Sequence, residues 1–269
     1  MTLIILDSIK AIILGLVEGI TEFLPISSTG HLIIVNQWVS FDKAFTTLFD
    51  IVIQLGAILA VVVFFWKKLW PFTGDKIKNS ETWNIWFKTI VGVLPAVVLG
   101  YLFANKIENK LFNPWTVAIA LFIGGVIILI VERYKKDPKT TSINNLSFKT
   151  AFYIGVIQCL SMIPGTSRSA ATIIGAIILG TSRVIATEFS FFLAIPTMFG
   201  ATILSLLKYK GALSHYQVII LLIGFIVSFF VALAAVKFII NYVKKNNFKA
   251  FGWYRIALGV IIVAYFLIK

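Results

Sequence analysis

Two polar stretches, each broken by a proline, interrupt sequence that is otherwise long and apolar. The first runs from Glu18 through Glu22, Pro25, Ser27, Ser28 and Thr29 to His31. The second runs from Pro164 through Gly165, Thr166, Ser167, Arg168 and Ser169 to Thr172. An ionisable group inside a bilayer persists only where it lines a polar cavity or meets a partner, and irregular backbone there must be shielded from lipid. The two stretches therefore have to face each other, or a shared polar space, inside a membrane protein. One supplies carboxylates, hydroxyls and an imidazole; the other supplies a guanidinium and hydroxyls. Together they describe an anion site, with phosphate the anion that suits them.

Composition makes the membrane setting hard to avoid. Of 269 residues, 59% are hydrophobic and only 13% charged, and the mean hydropathy of +0.96 lies outside the soluble range. Six runs, about 46–66, 86–105, 114–132, 186–207, 216–240 and 251–268, approach or exceed the ~20 residues that a crossing helix needs. Two further regions, about 2–41 and 150–181, are broken midway by the polar motifs. They are expected to be hairpins of two half-helices that enter and leave on one face. The fold class is all-α integral membrane, an inverted-repeat bundle of six full transmembrane helices plus two re-entrant helical hairpins. The whole chain, 1–269, forms one polytopic domain.

The net charge of +13 does not signal nucleic-acid binding, because the Lys and Arg residues fall in short loops between spans. With six spans and two hairpins, one side collects 16 of them, among them Lys67, Lys68, Lys88, Arg133, Lys135, Arg183, Lys245 and Arg255. The other collects 7: Lys10, Lys43, Lys106, Lys110, Lys208, Lys210 and Lys269. The crowded side should be cytoplasmic, with both termini opposite. A ten-span arrangement, in which each broken region crosses twice, keeps every loop on the same side, so charge does not separate the two. Cys159 is the sole cysteine, which excludes an intrachain disulfide or a cysteine metal cluster. The apolar N-terminus lacks a small-residue cleavage site before the first motif and is expected to belong to the mature fold.

The chain also echoes itself. Gly15 to Thr21 and Gly155 to Ser161 share spacing and polarity, and each leads to a proline, Pro25 and Pro164, 139 residues apart. A broken hairpin followed by three spans occurs twice. Three is odd, so halves of about 1–135 and 148–269 would insert in opposite senses, as inverted repeats whose discontinuous helices meet near the midplane.

Glu18 and Glu22 share one helical face, where two carboxylates repel unless a cation intervenes. A hard divalent ion, Mg²⁺ or Ca²⁺, takes carboxylate oxygens and leaves positions for phosphate and water. Pro25 ends that half-helix. Ser27, Ser28 and Thr29 then open the next, whose free backbone N–H groups favour an anion. His31, three residues after Ser28, is a candidate for acid/base work or phosphate contact. In the second motif Ser167 or Thr166 caps the new helix and Arg168 sits in its first turn, the wrong end of the helix dipole for a cation. A bound anion removes that conflict, and a guanidinium is shaped for phosphate oxygens. Ser169 and Thr172 add hydroxyls on one face. The alternative without ligand is an Arg168 ion pair with Glu18 or Glu22. Asp50, Gln54 and Glu188 are further candidates to line the cavity, and Gln158 holds in the second half the place of Glu18. Pro95 and Pro196 are expected only to kink ordinary spans.

These motifs closely resemble those of the undecaprenyl-diphosphate phosphatase family, the bacitracin-resistance membrane proteins of bacteria. The family's Glu-x-x-x-Glu region followed by Pro-x-Ser-Ser-x-Gly-His matches Glu18 through His31. Its Pro-Gly-x-Ser-Arg-Ser-x-x-Thr matches Pro164 through Thr172. The resemblance implies hydrolysis of undecaprenyl diphosphate to undecaprenyl phosphate, dependence on Mg²⁺ or Ca²⁺, and residence in the bacterial inner membrane with the active site towards the extracytoplasmic face. It carries functional positions onto Glu18, Glu22, Ser28, His31, Ser167, Arg168, Ser169 and Thr172, and leaves a homodimer open. The rival from another class is a transporter or flippase of an anionic prenyl-phosphate lipid, since inverted repeats with broken helices are common there. An acid-phosphatase-like membrane enzyme fits less well, because no His follows Arg168 at the spacing such a site needs.

Overall fold

The computed structural model describes residues 2–134, 136–208, 211 and 213–268. Lys135, Lys210 and Lys269 of the charge pattern lie outside the described residues. Eleven helices follow in order: α1 Thr2–Thr21, α2 Ser28–Val35, α3 Lys43–Phe64, α4 Trp66–Leu69, α5 Lys76–Leu111, α6 Pro114–Arg133, α7 Phe148–Gln158, α8 Arg168–Ile178, α9 Arg183–Lys208, α10 His215–Lys245 and α11 Lys249–Ile268. Among the described residues there is no strand, only an isolated bridge between Thr140 and Thr181. Among the described residues six helices (α3, α5, α6, α9, α10 and α11) are long and apolar enough to cross a membrane.

Helix starts follow local chemistry. Asp42, Asn113, Ser147 and Ser214 each accept a hydrogen bond from a backbone N–H of the first turn, and Pro114 follows Asn113 where a missing N–H costs nothing. Ser214 and Gln217 form a reciprocal capping box. Pro95 and Pro196 lie inside α5 and α9, which continue through them.

Helix packing in lipid lacks a hydrophobic driving force between helices, so close approach of small residues does the work. Gly15 and Gly19 of α1 lie against Gly224, Ser228 and the valines beside them on α10. Gly125 meets Gly252 where α6 crosses α11. Gly155 of α7 sits on the Gly92 carbonyl of α5 so tightly that a Cβ there would overlap the backbone. Large apolar side chains such as Leu204, Phe230 and Ile261 stay more than half exposed on the outside of the bundle, as lipid-facing residues do.

Contacts at the two ends of the bundle fix how each hairpin enters. At one end Tyr216, opening α10, donates to Asp7 of α1. Lys10 lies over the Phe41 ring at 5.6 Å, and Trp38 meets Tyr265 near the end of α11. The loop that leaves α2 is thus at the end where α1 began. At the other end Arg183, opening α9, pairs with Glu132, closing α6, and Phe248, between α10 and α11, donates its N–H to the same carboxylate. The segments flanking α7 and α8 meet there too: Lys139 N–H donates to Gly180 O at 2.8 Å and Ser182 N–H to Thr140 O at 2.9 Å. The α1–α2 hairpin enters from the first end and the α7–α8 hairpin from the opposite one. The eight residues of α2 are far too few to cross, which removes the ten-span arrangement.

Four expectations need correction. The first hairpin is not built of two half-helices: α1 has 20 residues, about 30 Å of helix. It nevertheless ends inside the bundle, because it runs beside α10 from Tyr216 to the level of Ser228, well short of Lys245. Arg255 is not a loop charge; it is fully buried on α11. Lys88 is buried as well, donating to the Ile143 and Asn144 carbonyls of the 139–147 segment. Glu188 does not line the site, because Lys68 takes its carboxylate at 2.9 Å near the start of α9.

Candidate active site

Each hairpin turns by the same device. After Thr21 the chain bends through Glu22 to Ile26, where Pro25 offers no N–H to continue the helix. Ser27 then adopts φ 73°, and its side chain accepts from Gly30 N–H at 3.2 Å to cap α2. In the second hairpin a short 3₁₀ turn, Cys159–Met162, leads to Pro164 and Gly165. Ser167 adopts φ 69° and accepts from Ala170 N–H at 3.2 Å to cap α8. These two serines are the only non-glycine residues with positive φ among the described residues. Such a conformation costs about 1–3 kcal/mol each and persists only where surroundings over-determine it. Both caps leave Ser28 and Arg168 as the first residues of their helices, with unpaired N–H groups at each start.

The tips meet. Arg168 Nη2 donates to Glu22 Oε1 at 2.9 Å, and both side chains are about 10% exposed. The same guanidinium donates from Nη1 to Ser190 O at 3.1 Å and lies over the Phe23 ring, 5.7 Å from its centroid. Ser28 Oγ donates to the other oxygen of Glu22, Oε2, at 2.6 Å, a charge-assisted bond. Ser169 Oγ donates to Leu24 O at 2.9 Å, with Glu22 O at 3.2 Å.

Beside these groups lies a cavity of 260 Å³ bordered by Glu22, Ser27, Ser28, Thr29, Ser167 and Arg168. Gln54 of α3, Ser161 and Gly165 of the second hairpin, and Met198 and Ala201 of α9 complete its wall. A carboxylate, a guanidinium, hydroxyls and two helix N-termini thus converge on one space, a set of donors suited to a phosphoryl group.

The family model described as bacitracin resistance protein BacA matches residues 11–261. The chain belongs to the BacA family. A protein of Limosilactobacillus fermentum named undecaprenyl-diphosphatase is 52% identical, across 97% of this chain and 98% of its own. One of Lachnoclostridium phytofermentans with the same name is 50% identical across 98% of both chains. An undecaprenyl-diphosphatase 1 of Oenococcus oeni is 51% identical across 95% of both.

Not every BacA-motif residue faces the cavity. Ser169 is fully buried in the tip-to-tip bonds above. Thr172 is also fully buried, 2.6 Å from Ser190 Oγ. His31 Nδ1 lies 2.7 Å from Ser27 O and Nε2 lies 2.6 Å from Tyr254 OH, with the two rings stacked. A carbonyl only accepts, which assigns the proton to Nδ1 and leaves Nε2 to accept from the tyrosine. His31 thereby ties the start of α2 to Tyr254 of α11. Gln158 is buried and reaches Thr197 at 3.4 Å, and its carbonyl oxygen has no hydrogen-bond partner among the described residues.

Glu18 is fully buried, and neither carboxylate oxygen has a hydrogen-bond partner among the described residues. Its electrostatic neighbours include Glu22 and Asp50, with Arg168 the opposing cation. A buried carboxyl group without a donor, with Glu22 and Asp50 as neighbours, is a costly arrangement that a cation relieves. No cluster of three or more His, Cys, Asp or Glu able to hold a metal occurs among the described residues. Two carboxylates suit an ion whose remaining ligands are water and substrate phosphate, as is usual for Mg²⁺. The residues present therefore fit a hard divalent cation.

Sequence reasoning missed Tyr254, Ser190 and Arg255. Tyr254 and Ser190 carry no motif signal, and Arg255 was hidden among loop cations because it lies only six residues into α11.

Proposed function

We propose that this chain is a membrane phosphatase that hydrolyses undecaprenyl diphosphate to undecaprenyl phosphate and inorganic phosphate at the cavity between the two hairpin tips. The observation that carries the reading is the triple contact of Ser28, Glu22 and Arg168 at the mouth of paired helix N-termini. The full-length likeness to proteins named undecaprenyl-diphosphatase supports it.

In this reading the prenyl tail stays in lipid and the diphosphate enters the cavity. Arg168 exchanges its bond to Glu22 for the terminal phosphoryl oxygens, which frees the Glu22 carboxylate to act as base. Ser28 Oγ attacks the terminal phosphorus and passes its proton to Glu22. The bridging P–O bond breaks, and undecaprenyl phosphate leaves as an anion that needs no proton. Water then attacks the phosphoseryl phosphorus; protonated Glu22 returns its proton to Ser28 Oγ as that P–O bond breaks, and the water's second proton leaves with the inorganic phosphate. The N–H groups opening α2 and α8, with Arg168, receive the charge that shifts onto the equatorial oxygens. Glu18 with Glu22 would hold Mg²⁺ or Ca²⁺, which when bound neutralises phosphate charge and polarises the phosphoryl oxygens.

The enzyme would sit in the bacterial inner membrane with the cavity towards the extracytoplasmic face. Met198 and Ala201 lie in the half of α9 remote from the lysine-rich end, which supports that orientation. The matching serine turns, on hairpins that enter from opposite ends, support a description of about 1–135 and 148–269 as inverted repeats.

Detergent-purified protein supplied with undecaprenyl diphosphate and Mg²⁺ should release phosphate. EDTA and Arg168→Ala should each abolish release, and Glu22→Gln should cut it by about 10³-fold. Movement of the lipid across a vesicle wall with no phosphate released would replace this reading with transport.

A further inference from the structure

Arg255 is an arginine with no acid to answer it. It is fully buried, and among the described residues it makes no ion pair and its Nε has no hydrogen-bond partner. Its terminal nitrogens instead donate to three carbonyls. Nη1 reaches Pro25 O at 3.4 Å, and Nη2 reaches Gly165 O at 3.1 Å and Ala120 O at 3.2 Å. Pro25 belongs to one hairpin tip, Gly165 to the other, and Ala120 to the spanning helix α6.

The two tip carbonyls hold equivalent places. Pro25 stands two residues before Ser27, and Gly165 two residues before Ser167. Those are the serines held at φ 73° and 69°. A left-handed conformation at a residue with a Cβ needs outside support. One guanidinium supplies it to both turns and ties them to a rigid helix. Burial of an unpaired cation is expensive. The planar fork tolerates it because its charge is spread and its donors reach several acceptors at once.

We propose that Arg255 is a positioning residue for the phosphatase reaction, fixing the register of the two hairpin tips so that Ser28, Glu22 and Arg168 face one phosphoryl group. This rests on the function proposed above. Arg255 acts through the Pro25 and Gly165 carbonyls and not by touching substrate. Gly124 of α6 provides an independent handle, because a methyl group added there would overlap the Arg255 guanidinium. Gly124→Ala displaces the fork without removing its charge.

The test compares phosphate release by wild type, Arg255→Lys, Gly124→Ala and the double variant, each taken as the folded, monodisperse fraction in detergent with undecaprenyl diphosphate and Mg²⁺. A compact ammonium cannot span the three carbonyls as the fork does. Each single variant should lose at least about tenfold in kcat, with KM within about twofold of wild type, as expected for displaced catalytic groups. The double variant should be no worse than the poorer single, because both changes break the same linkage. A residue that merely stabilises the fold would lower the melting midpoint and leave kcat per folded molecule unchanged. That result in either single variant overturns the proposal, as do fully additive losses. Absence of phosphate release from wild type would instead overturn the function on which it rests.

Discussion

Glu22 and Arg168 come from hairpins that enter the bundle from opposite ends, and they meet at 2.9 Å with both side chains about nine-tenths buried. The second oxygen of Glu22 already accepts the Ser28 hydroxyl. One carboxylate therefore holds the guanidinium that is to receive phosphate and the hydroxyl that is to attack it. Breaking a buried pair by removing one partner is much more damaging than its net worth suggests, because the other charge is left stranded.

Arg168→Lys keeps the charge and loses the fork that reaches Glu22 and the Ser190 carbonyl from different nitrogens. Its kcat should fall by about 100-fold, the scale of losing a preorganised donor to transferring charge. Phosphate-release kinetics check this, and near-native turnover would refute the assigned role.

Ser28→Ala and Glu22→Gln should each reduce kcat by about 10³-fold, and the double variant should add little, because attacking group and base act as a unit. Mass spectrometry of acid-quenched wild type should find phosphate on the Ser28 peptide. A stoichiometric search that finds none, together with multiplicative losses, would point to direct attack by water.

Glu18 yields a prediction independent of activity. In EDTA the buried carboxyl of Glu18, crowded by Glu22 with no cation between them, costs stability, so Glu18→Met should raise the thermal midpoint by a few degrees. Adding Mg²⁺ should raise the wild-type midpoint by mass action and leave that of Glu18→Met unchanged. Equal responses to Mg²⁺ in the two proteins would remove Glu18 from the metal site.

Gly155→Ala tests the seat of the second hairpin. Its new Cβ would meet backbone, the Gly92 carbonyl, which cannot swing aside as a side chain does. A loss of about 2 kcal/mol of stability is expected from such overpacking. The same substitution at Gly200, which has open space around its Cβ position, is the control and should leave the thermal midpoint nearly unchanged.

Much of the site was legible in the sequence because a membrane makes polar residues conspicuous. Glu18, Glu22, Ser27, Ser28, Ser167 and Arg168 stood out against apolar surroundings, and all of them except Glu18 border one cavity. Glu18 lies deeper, where its carboxylate has no donor. The residues behind the site were less legible. Ser169 and Thr172 share motif spacing with Arg168, but spacing does not tell a hydroxyl that faces a ligand from one that ties two helices together. His31 looked like a base for Ser28, and only its contact with Tyr254, 223 residues away, shows which way the ring is turned.

The sequence by itself determined the class of fold, the six spans and the chemistry of the two tips. Hydropathy, helix length and the cost of charge in lipid act locally and can be read from neighbouring residues. What α1 lies beside, how deep it stops and which cation holds the tips together were decided by tertiary structure. Arg255 shows why. Its distance from a span end looks like that of a loop charge, and its burial is set by carbonyls of Pro25, Ala120 and Gly165 that only the packed bundle brings within reach.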